Sequence, residues 1–92
     1  MRIVISYDIS DNKRRRKIVK ILEGCGYRVQ YSVFECDLNP TQLTQLQARL
    51  RPMVKTELWE SIRFYPLHLD SLALIQVLGK DHGRQLSPAI VV

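Results

Sequence analysis

A single carboxylate, Asp8, stands where an apolar stretch of the chain stops, and five consecutive cations, Lys13 to Lys17, follow it almost at once. A carboxylate fixed by a strand and open at its tip suits a hard divalent ion, because Mg²⁺ takes one or two carboxylates and completes its shell with water and phosphate oxygens. Cations beside it suit the phosphates of a polyanion, arginine through its planar fork of donors. The run falls at what reads as the first turn of a helix, where the backbone already carries partial positive charge, so each cation there is unfavourable by about 0.3–1 kcal/mol at low salt. Folding alone does not choose that arrangement, and a polyanion held beside a metal-binding carboxylate explains it. The plainer readings are an Asp8 that caps the helix or forms an Asx turn and a solvated charge run. Asp11 is the better-placed cap, which makes the first of these less necessary.

Successive helical residues are rotated by about 100°, so Arg14, Arg15 and Arg16 cannot all face one way. Arg15 lies one turn before Ile18 and Val19 and leans towards the sheet, which leaves Arg14 and Arg16 to reach phosphates. Arg28 can extend the same patch. Phe34 can stack on a base, although its place in Val33-Phe34-Glu35-Cys36 also suits a core. Ser6 shares a strand face with Asp8 and can orient it; Tyr7 is expected in the core with its hydroxyl hydrogen-bonded. Glu35 and Asp37 share a face and form either a second acidic site or a solvated strand surface. His68 and His82 are isolated, with no metal-ligand spacing, and His68 is at most a general base on a loop. The chain has no GxGxxG, no P-loop and no nucleophile–His–Asp pattern. The carboxylate with its arginines is the site the sequence offers.

The chain around these residues is short and basic. Its 92 residues carry a formal charge of +5 and a pI near 9.6, and six of the fourteen Lys and Arg fall between Lys13 and Lys20. A domain this small buries only about 60–65% of its unfolded surface, so association is a natural supplement to its core. The charge favours nucleic acid or an anionic surface as partner. Cys25 and Cys36 lack C-x-x-C spacing and are expected as reduced thiols of a cytoplasmic protein. No signal-peptide pattern opens the sequence, and no apolar stretch reaches the ~18–20 residues a membrane span needs.

The elements that must position the site follow from periodicity. Arg2 to Tyr7 reads as a strand with Ile3, Ile5 and Tyr7 on one face and Val4 and Ser6 on the other. A helix follows, capped by Ser10 or Asp11, with a stripe of Ile18, Ile21, Leu22 and Cys25 and a stop at Gly24 and Gly26. Tyr27 to Leu38 is one long strand or two short ones turning near Tyr31-Ser32; local sequence leaves this open. Asn39-Pro40-Thr41-Gln42 opens a second helix as a capping box with Pro at the first turn, and Pro52 breaks it near Arg51. Ser61 to Leu67 is a strand ended by Pro66, and Leu72 to Leu78 is another. If Tyr27 to Leu38 is split, the order is βαββαβ plus an extra C-terminal strand: a ferredoxin-like α+β sandwich with both helices on one face of the sheet. The domain is then residues 1–79, with 80–92 a tail that contacts a partner. The uncovered face, carrying Val4 and one face each of Val33 to Leu38 and Leu72 to Leu78, is apolar enough to argue for a two-fold copy of the chain against it.

Tyr7-Asp8-Ile9, the following Lys-Arg-Arg, Gly26 to Glu35 (GYRVQYSVFE) and Ile62 to Leu67 (IRFYPL) together resemble the small universal CRISPR-associated protein of spacer acquisition, the CRISPR-associated endoribonuclease family. The resemblance covers about residues 1–78, in order and spacing. It implies a ferredoxin-like homodimer whose sheets pack face to face, and therefore two short strands between Tyr27 and Leu38. It implies that Asp8 is the metal ligand and catalytic residue, holding Mg²⁺ near the dimer axis, with Arg15 or Arg16, Arg28 and Phe34 matching the family's Arg and Phe positions. Two functions follow. One is a Mg²⁺-dependent endonuclease acting on RNA or DNA with the larger adaptation integrase. The other is a non-catalytic scaffold that grips double-stranded DNA and docks that integrase. An RNA-cleaving toxin of similar fold ranks below both.

Overall fold

The computed structural model describes residues 1–81 and the backbone of 90–91. Arg2–Asp8 forms β1, Asn12–Glu23 α1, Gly26–Gln30 β2, Val33–Asp37 β3, Pro40–Leu50 α2 and Ser61–Leu67 β4. The four strands make one sheet in the order β2-β3-β1-β4, with every neighbouring pair antiparallel. β1 and β2 therefore run parallel with β3 between them, the split βαβ arrangement of a ferredoxin-like domain. Tyr27 to Leu38 is thus two strands joined through Tyr31 and Ser32, with a bulge between Arg28 and Gln30.

Local chemistry accounts for the helix ends. The Asp11 side chain accepts the backbone N–H of Arg14 at 2.8 Å and caps α1. Asn39 and Gln42 satisfy each other's backbone N–H groups in a capping box at the start of α2, with Pro40 in its first turn. Pro52 ends α2 at Leu50 and leaves a 3₁₀ turn over Arg51–Met53. Gly24 closes α1 at φ −74°, a conformation any residue adopts. Gly26 answers a different need from the helix stop expected of it: a Cβ there would stand 2.1 Å from the Glu35 carbonyl oxygen across the β2–β3 ladder.

The two helices cover one sheet face. Ile3, Ile5 and Tyr7 of β1 and Phe34 and Cys36 of β3 meet Ile18, Leu22, Leu46 and Leu50 in a single buried cluster. Burial pushes the Cys36 thiol up to about 12. On the open face Val4 lies between Glu35 and Tyr65, and Ser6 between Val33 and Arg63. That face is less apolar than expected. Arg2, only 3% exposed, donates to Asp37 at 2.8 Å and to Glu35 at 3.1 Å, so Glu35 and Asp37 share one guanidinium that offsets one of their two charges, and neither is a free carboxylate of a second acidic site.

In the C-terminal third β4 has the expected bounds, Ser61–Leu67, with Pro66 inside it, which an edge strand permits because a proline there gives up no inner ladder bond. The expectation for the segment that follows is corrected. Leu72 to Leu78 is not a strand of the main sheet. Leu69–Leu72 forms a short helix, α3, and only Gln76–Val77 is extended, as β5, pairing in parallel with Ile90–Val91, β6. A run that is apolar on both parities carries no period with which to choose between helix and strand. Most of the 80–92 tail, His82 included, lies outside the described residues.

Candidate nucleic-acid site

One end of the sheet gathers the candidate residues. β1 finishes there at Asp8, α1 begins there, β2 turns into β3 there, and β4 starts there with Ser61 opposite Asp8. Asp8 is exposed and shares the open face with Val4 and Ser6 by strand alternation. Arg63 stands on this same face, opposite Ser6, exposed and donating to the Tyr65 hydroxyl at 3.2 Å. It is the cation nearest Asp8 in the ladder, and sequence reasoning passed over it. The alternation of Ser61, Arg63 and Tyr65 was the available signal.

The cation run divides its labour. Arg14 is committed to the fold. Its Nη2 donates to Glu60 Oε2 at 2.7 Å, its Nη1 to the other Glu60 oxygen and to the Met53 carbonyl at 2.9 Å. Glu60 is 6% exposed and also accepts from Ser10 Oγ at 2.6 Å, Ser10 N–H at 3.0 Å and Lys55 N–H at 3.0 Å. The Arg14 guanidinium and these donors hold the Glu60 carboxyl far below the ordinary carboxylate range. The expectation that Arg14 is free to reach a phosphate is corrected, and Glu60, not singled out in the sequence, is the counter-ion that lets cations stand at this helix end. Its position before the SIRFYPL strand gave no sign of burial.

Arg15 is half-tied: Nη1 donates to the Ile9 carbonyl at 2.8 Å and Nη2 to Asn12 Oδ1. Lys13, Arg16, Lys17 and Lys20 are exposed along α1. With Arg15 and Arg28 they line a groove of about 700 Å³ between α1 and β2, in which Glu23 is the lone acid and Tyr7 and Tyr31 supply aromatic surface. Arg28 faces Phe34 across the ladder and sets its guanidinium 5.6 Å from the centre of that ring, a favourable cation–π distance. Phe34 itself is fully buried and packs on Tyr7, so base stacking by Phe34 is corrected to a core role. Tyr31, 76% exposed, is the aromatic presented to solvent at the groove.

Asp8 and the groove therefore share one end of the sheet but lie on opposite faces of it. Among the described residues no three His, Cys, Asp or Glu gather to hold a metal. Among the described residues Asp8 is the carboxylate that the open face presents at this end of the sheet, a donor that fits the sparse carboxylate demand of Mg²⁺ when phosphate oxygens or a second copy supply the rest. His68 caps α3 beyond Leu67 at the far end of β4, and Leu67 pairs with Arg2 while Ser61 pairs with Asp8. At about 3.3 Å per residue this places His68 some 20 Å from Asp8, out of reach as its general base.

Fold and site together define a small ferredoxin-like protein with a cationic groove at one end of its sheet. Residues 1–73 match the family described as CRISPR associated protein Cas2, and the chain belongs to that family. It is 48% identical over 77 residues to the CRISPR-associated endoribonuclease Cas2 3 of Synechocystis, covering 84% of this chain and 83% of that one. It is 44% identical over 89 residues to the CRISPR-associated endoribonuclease Cas2 1 of Chloroflexus aurantiacus, covering 97% and 96%. Among solved structures it is similar to Streptococcus pyogenes Cas2 at pH 6.5, with a TM-score of 0.75, 33% identity and coverage of 86% of this chain and 100% of that one. It is also similar to a chain of a partial Cas6-RT-Cas1–Cas2 complex, with a TM-score of 0.66, 35% identity and coverage of 77% and 82%.

Proposed function

We propose that this chain is a homodimeric, Mg²⁺-dependent endonuclease of CRISPR spacer acquisition that works beside a larger Cas1 integrase. The observation that carries the reading is the exposed, strand-end Asp8 on the open sheet face, at the same end of the sheet as the cationic groove. The endoribonuclease names of its relatives and the Cas1–Cas2 neighbour agree with it. Two open sheet faces packed about a two-fold axis cover Val4, Val33 and Tyr65 and provide a second Asp8. Asp8 would hold the Mg²⁺, which would supply an activated water and charge neutralisation at the phosphate. Asp8 holds its carboxylate at a fixed ladder position, Arg63 neutralises the phosphate on the same face, and the groove cations retain the rest of the strand. Cleavage of labelled RNA and DNA by wild type and Asp8→Asn, with Mg²⁺ and with chelator, tests this. Cleavage is expected to vanish in the variant and in chelator; retained cleavage in either refutes it. Sedimentation is expected to give a dimer, and a folded monomer at micromolar concentration refutes the two-fold arrangement.

The second reading, a non-catalytic scaffold for duplex DNA, draws on one observation: the groove cations and Asp8 lie on opposite sheet faces. A phosphate backbone held in the groove then need not approach Asp8. Asp8→Asn with full duplex affinity and full support of spacer integration by the Cas1 partner is the outcome that favours it.

A further inference from the structure

We infer that the groove between α1 and β2 is a binding site for a free guanosine 5′-polyphosphate, held by its phosphates at the cationic end and by its base at Glu23. The site lies on the helix side of the sheet, away from Asp8, and stands whether or not Asp8 cuts. Its volume of about 700 Å³ is that of a small-ligand cleft. The charge of the groove is graded along its length. Lys13, Arg16, Lys17 and Lys20 recur at helical spacing along α1, and Glu23 follows them as its last residue. At ~1.5 Å per residue Arg16 and Glu23 stand about 10 Å apart, the reach from the phosphates to the base edge of a nucleotide. Both ends of this arrangement oppose the helix dipole, with cations at its positive end and a carboxylate at its negative end. Among the described residues Lys13, Arg16, Lys17, Lys20 and Glu23 form no ion pair, not even Lys20 with Glu23 one turn on. A ligand that is anionic at one end and donates hydrogen bonds at the other fits this gradient. A nucleic-acid backbone, negative throughout, is attracted by the cations and repelled at Glu23.

Two guanidiniums of the groove are already set. Arg15 donates to the Ile9 carbonyl at 2.8 Å and to Asn12, which fixes its fork at the phosphate end. Arg28 lies over Phe34, 5.6 Å from the ring centre, and Phe34 is fully buried, so this guanidinium is backed from below. Arg28 is two strand residues on from Gly26, about 7 Å, which sets it across the groove from Val19 and Lys20. Its exposed outer face stacks on a base, and Val19 and Tyr7 give the lining apolar surface. The choice of base follows from Glu23. Guanine presents two donors side by side on one edge, N1–H and the exocyclic amino group, and a carboxylate accepts both at once. Adenine and cytosine set a ring acceptor beside a single donor there, and a carboxylate repels that acceptor. The lone acid of a cationic cleft therefore selects guanine.

The full chain, in chelator so that no metal contributes, is titrated calorimetrically with GTP, ATP and inorganic tripolyphosphate at matched ionic strength. Saturable binding of one GTP per chain is expected, with ATP and tripolyphosphate each weaker by roughly 5- to 150-fold, the worth of one bidentate base contact. Lys17→Ala is expected to weaken GTP and ATP alike. Glu23→Gln is expected to abolish the preference for GTP while ATP binds as tightly as before or more tightly, because a negative charge leaves the groove. Both side chains are exposed, so neither change threatens the fold. A solvated charge run gives every phosphate compound the same salt-screened affinity, and that result overturns the inference. So does a preference for GTP that survives in Glu23→Gln. Bound GTP takes cations that a nucleic-acid backbone also uses, so it is expected to displace a labelled duplex at concentrations where ATP leaves it bound; displacement indifferent to the base counts against the site. Asp8→Asn is expected to bind GTP as wild type does, and loss of binding there would move the nucleotide to the open face and overturn the assignment. Cleavage and nucleotide binding are read separately, so the nuclease reading and this one fail independently.

Discussion

The division of labour along the cation run predicts that neighbouring arginines behave oppositely when removed. Arg16 and Lys17 are exposed in the groove, whereas Arg14 is clamped on Glu60. Taking one cation away from a duplex phosphate flattens log K against log salt by about 0.9, so Arg16→Ala with Lys17→Ala is expected to flatten it by roughly 1.8 per engaged subunit. Between about 50 and 200 mM salt the logarithm of concentration changes by ~0.6, so the gap between wild type and double variant narrows roughly 12-fold over that range. The loss should be equal for unrelated sequences, because phosphates carry no base information. Arg14→Ala is expected to leave the slope unchanged and to lower the thermal midpoint, because it strands the Glu60 carboxylate among donors arranged for an ion pair. Fluorescence anisotropy of a labelled duplex across a salt series, with thermal melts of each variant, reads both. A slope that flattens as much for Arg14→Ala as for Arg16→Ala would refute the assignment, and so would an Arg14→Ala protein as stable as wild type.

Glu60 also sets an acid limit. Its folded-state value is depressed below the ordinary 4.5, so its contribution to stability is complete above that pH and lost as pH falls towards the depressed value. Denaturant midpoints should therefore fall with acidification below about pH 4.5 more steeply in wild type than in Glu60→Gln; parallel curves would show that other carboxylates carry the dependence. The two thiols should separate by accessibility, since Cys36 is fully buried with its thiol pushed up to about 12 while Cys25 is only half-buried. Mass spectrometry after alkylation at pH 8 should show one adduct on Cys25 in the native protein and a second only in denaturant; early labelling of Cys36 would mean the sheet opens locally.

The elements with strong local chemistry were legible. Asp11, Asn39-Pro40-Thr41-Gln42 and Pro52 mark helix ends through side chains and rings that act within one turn, and the parity of Ile3, Ile5 and Tyr7 names the core face of β1. The strand-end position of Asp8 was readable for the same reason. What escaped depends on contacts across long sequence distances. Glu60 looks like any solvated acid until α1 is laid beside the start of β4. Arg2 reads as a surface cation until β3 brings Glu35 and Asp37 alongside it. The split of Tyr27 to Leu38 was undecided because no Asn-Gly or Asp-Gly marks the turn, and it followed from the family resemblance. Leu72 to Leu78 failed because a short apolar run with no period takes whatever pairing the surrounding chain allows. Phe34 shows that an aromatic in a basic protein is first a core residue, and that the rings left in solvent are those, such as Tyr31 and Trp59, that sit in turns.

The Glu60 clamp has a bearing on how the chain comes together. It joins Ser10 and the opening turn of α1 to one residue, Glu60, that lies 50 positions beyond Ser10 and 46 beyond Arg14. Until that residue arrives, the helix starts with unpaired like charges and an unfavourable dipole, so β1 and α1 made alone are a poor nucleus. Closing so long a loop costs entropy before any contact repays it. On a ribosome the clamp can close only once Glu60 has emerged, so the first half of the chain, made alone, lacks the counter-ion of its own helix end.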